Sequence, residues 1–283
     1  MGRIENQEIF FDTERLCEND PILSEAIKNS ATRQRSILQG ASIAEQSGNK
    51  SNNPGRVIVS KKRSFTAASA YADKKVCVLN FASATNPGGG VEKGSSAQEE
   101  SLCRCSTLYF NLNDKKPFND FYYPHRKSGN PLHNDDCIYT PDVVVFKSDT
   151  DTPRLLPQKS WYSVNVITCA APNLRPRPSN SPNHHNGNEA IQISDRALEE
   201  LHEKRLRRVL NIALLEGNEV IILGAFGCGA FLNPPQVVAA AAKKVTEEYR
   251  DCFDVIEFAV YCNPRDDSNY RVFERVFKPE LLL

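Results

Sequence analysis

The chain has 283 residues and sets 35 Lys and Arg against 35 Asp and Glu, so its formal charge is zero at pH 7. Binding that depends on neutralising phosphates over a broad surface needs a basic surplus, and none exists here. At 40% hydrophobic and 25% charged the composition is that of a globular protein, no apolar run approaches the ~20 residues of a membrane span, and the opening MGRIENQEIFFDTER lacks a signal h-region, so an intracellular protein, cytoplasmic or nuclear, without membrane contact is expected.

From Asp12 to about Ser47 the residues favour helix, with Ile37, Leu38, Ala41 and Ala44 near the helical period. The stretch from Gln46 to Pro54 is Ser, Asn, Gly and Lys, too polar to bury a face, and reads as a loop. Together they predict a helical accessory region over residues 1–55, ahead of a second domain over 56–283. The latter opens on the apolar run Val57-Ile58-Val59 and on a short helix starting near Ser64.

Strands and helices then alternate. Val76 to Phe81, Val143 to Phe146, Val164 to Ile167, Val220 to Leu223 and Val255 to Val260 are continuous apolar runs of the kind found in strands covered on both faces. Helical patterns occupy Ala97 to Phe110, Asn188 to Leu215, Pro234 to Tyr249 and Asp267 to Phe277. The alternation predicts an α/β class with a mixed sheet sandwiched by helices. Ala171 to Gly187, with four prolines among Asn, Ser and His, reads as a long surface loop.

Nine cysteines are an odd and scattered set, so reduced thiols are expected, and the absence of a CxxC or HxxxH spacing argues against a zinc site. Other candidates have plain explanations. His184-His185 reads as a solvated loop pair and Lys61-Lys62-Arg63 as a charged surface. Cys228 has no neighbouring base to make it a nucleophile. Asn80 and Asn173 follow strands and fit either substrate contact or satisfied strand ends.

Two stretches carry chemistry. The first leaves the strand at Asn80, passes Asn86-Pro87-Gly88-Gly89-Gly90 and enters a helix at Gln98-Glu99-Glu100. Glycines let backbone approach a ligand, amides at a helix start receive anionic oxygens, and a carboxyl is the acid that glycosidic cleavage needs. Adjacent helical residues point about 100° apart, so Glu99 and Glu100 cannot flank one bond and should have different roles. The second stretch, Gly224-Ala-Phe-Gly-Cys-Gly-Ala-Phe-Leu-Asn-Pro, again runs from strand to helix, with Asn233 as N-cap. It fits neither the Walker loop nor the Rossmann order. Two such loops at strand ends suit a ligand with two hydroxylated or anionic sectors, such as ADP-ribose, over the carboxyl edge of the sheet.

Asn86-Pro-Gly-Gly-Gly, seven residues, then Gln98-Glu99-Glu100 resembles the signature of the poly(ADP-ribose) glycohydrolases. Leu79 to Ser83, Ser101 to Arg104, Ser106 to Tyr109, Thr168 to Asn173 and Gly224 to Gly229 resemble the microbial type, and the resemblance spans about residues 30–277. Phe226 stands where microbial relatives often show Trp. The resemblance implies a macrodomain fold that hydrolyses the ribose-ribose O-glycosidic bonds of poly(ADP-ribose) and releases ADP-ribose. Glu100 would be the acid, holding its proton near neutral pH through burial and the neighbouring Glu99, which would position the ribose diol. Gly88, Gly89 and Gly90 would line ribose and pyrophosphate, with Asn86 and Gln98 also binding substrate. Gly227, Cys228, Gly229 and Ala230 would form the diphosphate loop, with Phe231 beside the distal ribose and Phe226 as a further substrate-binding residue. No cofactor or metal is implied. The partners would be poly(ADP-ribose) or ADP-ribosylated proteins, with no sequence-specific nucleic acid. Two alternatives use the same pocket: an ADP-ribose reader without hydrolysis, and a hydrolase of mono-ADP-ribosylated proteins.

Overall fold

Each of the short apolar runs forms a strand in the computed structural model of the protein, which describes residues 2–42, 55–176 and 191–278. In chain order the elements are α1 (Arg3–Asn19), α2 (Pro21–Arg33), β1 (Arg35–Ile37), β2 (Arg56–Ser60), α3 (Ser64–Ala68), β3 (Val76–Phe81), α4 (Gln98–Cys105), α5 (Leu108–Leu112), the single turn α6 (Lys115–Pro117), α7 (Tyr123–Ser128), β4 (Cys137–Val145), β5 (Tyr162–Cys169), α8 (Asp195–Leu215), β6 (Val220–Leu223), α9 (Pro235–Tyr249), β7 (Val255–Ala259) and α10 (Ser268–Phe277).

The strands form one mixed sheet in the order β1-β4-β5-β3-β6-β7-β2. β4 is antiparallel to β1 and to β5, and the remaining pairs are parallel. The two-residue period of a strand divides the core. Val76, Val78, Val220, Ile222 and Val255 face a cluster with Phe65, Leu102, Leu108 and Phe121. Cys77, Leu79, Ile221, Leu223, Ile256 and Phe258 face a second cluster with Leu210, Val238, Val245 and Phe273 from α8, α9 and α10. Burial on both faces explains why these strands read as unbroken apolar runs.

The N-terminal region differs from its reading. α1 starts at Arg3, where the Gly2 amide donates to Glu5 Oε2 at 2.6 Å, and Asp20 caps α2 by accepting from Ile22 and Leu23. The helical period assigned around Ile37 gives way at Arg35, which starts an edge strand paired with Tyr139 of β4. The helix expected over Ala97 to Phe110 is broken at Ser106, which bridges to Val145, while the Thr107 amide donates to Val144 O. α9 begins at Pro235 with Pro234 as cap, one residue later than expected. The polar stretch after Ser42 and the His184-His185 pair lie outside the described residues. Among the described residues no helix is long and apolar enough to cross a membrane.

Candidate functional site

A cleft of about 1620 Å³ opens over the carboxyl ends of the central strands, where the loops after β3, β5, β6 and β7 converge. That edge is where ligands bind in open α/β sheets. Asn86, Gly89, Gly90, Gln98, Glu99 and Glu100 line it from one side, and Gly227, Gly229, Ala230 and Phe231 from the other.

The first glycine loop folds onto the two carboxylates. Gly88 and Gly89 sit at φ of +64° and +63°, and the Gly89 amide closes a turn by donating to Asn86 O at 2.9 Å. A Cβ on Gly89 would stand 2.5 Å from Glu100 Oε1 and 3.0 Å from Glu99 Oε2, so any side chain there would displace a carboxylate. Gly88 itself does not line the cleft. Its missing Cβ makes room for the Tyr109 ring, 2.6 Å away.

Glu99 and Glu100 are 3% and 7% exposed, and their partners differ. Glu99 accepts from Asn80 Nδ2 at 3.2 Å and from the Ser83 amide at 2.7 Å. Burial, reinforced by the neighbouring Glu100 charge, pushes the Glu99 carboxyl well above the usual carboxylate range. Glu100 accepts from the Gly90 amide at 2.9 Å through Oε1, while its buried Oε2 has no protein partner.

Gln98 lines the cleft while its amide group is bonded to the protein. Its Oε1 accepts from the Phe81 amide at 2.9 Å, and its Nε2 donates to Leu79 O at 2.9 Å and Ser64 Oγ at 3.0 Å. With both amide hydrogens used, Gln98 splints the start of α4 to the end of β3 and so aims the two glutamates that follow. Asn86 is likewise anchored, its Oδ1 accepting from Arg126 NH2 at 3.1 Å.

The second loop is held from behind. Asn233, 1% exposed, donates through Nδ2 to Pro172 O at 2.7 Å and Gly227 O at 3.0 Å, which leaves Oδ1 to accept from His202 Nε2 at 2.9 Å. Burial depresses the His202 pKa to about 4, so the ring is neutral at pH 7. Gly227 takes φ of +84°, and a Cβ there would meet Ala171 and Asn233 at 2.7 Å. Phe226 turns away from the cleft into the core, 5.6 Å from the Phe81 ring and 5.9 Å from His202. Cys228 is half-buried and not among the lining residues, and burial pushes its thiol up to about 12, which leaves no thiolate at pH 7.

Sequence reasoning missed the supports. Arg126 and His202 lie in no recognisable pattern, Ser83 and Arg104 fall in stretches that resemble the microbial type but were given no role, and only the strand-end position of Asn80 hinted at its contact with Glu99. His133, left-handed at φ of +55° and held neutral by burial, with its pKa lowered to about 3, lines the cleft 6.3 Å from the Phe231 ring. The basic run is consumed in pairs: Lys61 with Asp267, Lys62 with Glu257 and Arg63 with Asp151, the Arg63 guanidinium lying 3.8 Å over the Tyr261 ring. Among the described residues no group of three His, Cys, Asp or Glu side chains is placed to hold a metal.

Residues 14–148 match the model of the microbial-type poly(ADP-ribose) glycohydrolase catalytic domain. The fold is similar to that of poly(ADP-ribose) glycohydrolase from Thermomonospora curvata, at 27% identity and a TM-score of 0.80 over 96% of this chain and 99% of that one. It is similar to the same protein bound to the inhibitor ADP-HPD, at 26% identity and 0.78, with 96% and 99% covered. The enzyme from Deinococcus radiodurans in complex with ADP-ribose matches at 32% identity and 0.74, over 89% of this chain and 97% of that one. None of the curated proteins compared matches the sequence. The macrodomain-like sheet, the family model and these relatives agree: the chain belongs to the microbial-type poly(ADP-ribose) glycohydrolases, a family of glycosidases.

Proposed function

We propose that the chain releases ADP-ribose from poly(ADP-ribose) with Glu100 as the acid and Glu99 as the positioning carboxyl. The observation that supports this most is the asymmetry of Glu100: one oxygen is fixed by the Gly90 amide, and the other, buried at the cleft, has no protein partner. As the acid, Glu100 gives a proton to the oxygen joining two riboses. The C1–O bond then breaks, the electron pair stays on that oxygen, and an oxocarbenium-like sugar remains. Water adds to C1 and returns a proton to the Glu100 carboxylate, so a hydroxyl is left on each ribose and the enzyme is regenerated. Glu99, held by Asn80 and the Ser83 amide, retains lone pairs to orient the ribose diol.

The second loop would take the diphosphate on its backbone, with Gly227, Gly229 and Ala230 at the cleft and Phe231 beside the sugar. The relatives solved with ADP-ribose and with ADP-HPD support such a ligand. In this reading residues 1–55 are accessory and 56–283 catalytic, the partners are the polymer and ADP-ribosylated proteins, and the odd, scattered set of nine cysteines suits a reducing intracellular compartment.

The test is digestion of labelled poly(ADP-ribose) with the wild-type chain and with Glu100→Gln, alongside calorimetric binding of ADP-ribose. Loss of a general acid costs about 10²–10⁴-fold, so the variant should bind ADP-ribose and release almost none. Binding without release by the wild type would leave a reader of ADP-ribose, and full activity in Glu100→Gln would remove the assigned acid.

A further inference from the structure

We infer that α1, within the accessory region, steadies the catalytic loop, with Asn6 and Arg104 as positioning residues that hold the Glu100 carboxylate in register; this rests on the function proposed above. A closed ring of hydrogen bonds runs through the loop. Glu100 Oε1 accepts from the Gly90 amide at 2.9 Å, Gly90 O accepts from the Ser95 amide at 3.1 Å, and Ser95 O accepts from Arg104 Nη1 at 2.5 Å. Arg104 stands one helical turn after Glu100 on α4, so the ring returns to its origin. Arg104 is 4% exposed, too buried for a solvating role.

α1 closes the ring from outside. Asn6, 3% exposed, donates to Gly94 O at 3.0 Å, and Gln7 donates to Glu92 O at 2.9 Å. Gly94, at φ of +72°, lies so close to Arg3 O that no Cβ fits between them. Farther along, Thr13 Oγ1 donates to Arg104 O at 2.6 Å and accepts from Lys147 Nζ at 2.8 Å. The loop that presents the Gly90 amide is therefore gripped through its carbonyls at Glu92, Gly94 and Ser95 by Gln7, Asn6 and Arg104. A general acid must sit within hydrogen-bond reach of one oxygen, and a misplacement of about 1 Å can cost about 10²-fold. Binding of ADP-ribose, spread over both glycine loops, depends less on that alignment.

The experiment compares Asn6→Ala, Arg104→Met, Arg104→Lys and Cys17→Ala in the full chain. It measures kcat and KM on poly(ADP-ribose), the Kd for free ADP-ribose, and Tm. Cys17 also lies on α1 but packs with Leu23 and Phe146, so it reports loss of helix docking alone. Asn6→Ala should lower kcat about 10-fold, and Arg104→Met toward 10²-fold, with the Kd within about 3-fold of wild type. Arg104→Lys, which keeps a charged donor, should recover part of the loss, and Cys17→Ala should lower Tm without lowering kcat. Wild-type kcat in Asn6→Ala and Arg104→Lys, or a loss that follows Tm through Cys17→Ala as well, would overturn the inference. An active wild type with inactive Glu100→Gln and fully active Asn6→Ala would overturn this inference alone, whereas a wild type that releases no ADP-ribose would overturn the function and the inference together.

Discussion

The two glycine loops look alike in sequence and are built in opposite senses. In the first, the backbone turns toward protein carboxylates: the amides of Ser83 and Gly90 are already bonded to Glu99 and Glu100. In the second, the backbone is held by its carbonyls at Gly227 and Phe231, through Asn233 from below, and a Cβ on Gly229 would find nothing within 4 Å. One loop spends its donors on holding an acid, and the other leaves its outer face for a ligand. The same residue type thus serves close approach within the protein at one site and access from outside at the other.

The largest expected effect comes from breaking the inward loop. Gly89→Ala forces a side chain into a left-handed position, costing roughly 1–2 kcal/mol, and puts a methyl 2.5 Å from Glu100 Oε1. The kcat for polymer hydrolysis should drop by about 10², with Tm also lowered; near-wild-type turnover would show that the loop does not hold the acid. Gly229→Ala probes the outward loop and should do less. The free protein has room for the methyl, so Tm should stay unchanged while the KM for polymer rises about 3-fold from crowding of the bound diphosphate. A lowered Tm with an unaltered KM would mean that this loop too is inward-facing.

The smallest effect concerns stability and pH. Because the Glu99 pKa is raised in the folded state, the native protein binds more protons than the unfolded chain between the ordinary glutamate value of 4.5 and the folded one. The stability Glu99 contributes is complete below pH 4.5 and is lost as pH rises through the folded value. Glu99→Gln should therefore gain Tm over wild type by a few degrees, on the order of 1 kcal/mol, at neutral and alkaline pH, with the gain vanishing in acid. A Tm difference independent of pH, followed by thermal denaturation across the range, would assign the burial cost elsewhere.

Much of this arrangement was readable because it is local. β3, β6 and β7 are buried on both faces and declare themselves as apolar runs, and the first loop announces itself by Gly88 to Gly90 before Gln98-Glu99-Glu100. What escaped depends on contacts across the chain. Arg35 to Ile37 leaves its helical period because β4 offers an edge, with Arg35 opposite Tyr139. The bonds that tie Gln98 to Leu79, Phe81 and Ser64 join segments that are far apart in the sequence. Phe226 sits in a ligand loop by sequence and in the core by geometry, because the turn at Gly227 sends consecutive residues to opposite sides. Arg126 and His202 act at separations of 40 and 31 residues from Asn86 and Asn233, distances over which no spacing rule operates.

The donor that steadies Glu100 is a main-chain amide, and this has an evolutionary consequence. A side-chain donor can be deleted by many single codon changes, whereas the Gly90 N–H survives every replacement except proline. Heritable variation at that contact must therefore act through shape, by shifting the strand of backbone that carries the amide. Lineages that retune this acid would be expected to record it in the packing behind the loop, leaving the chemical groups in front unaltered.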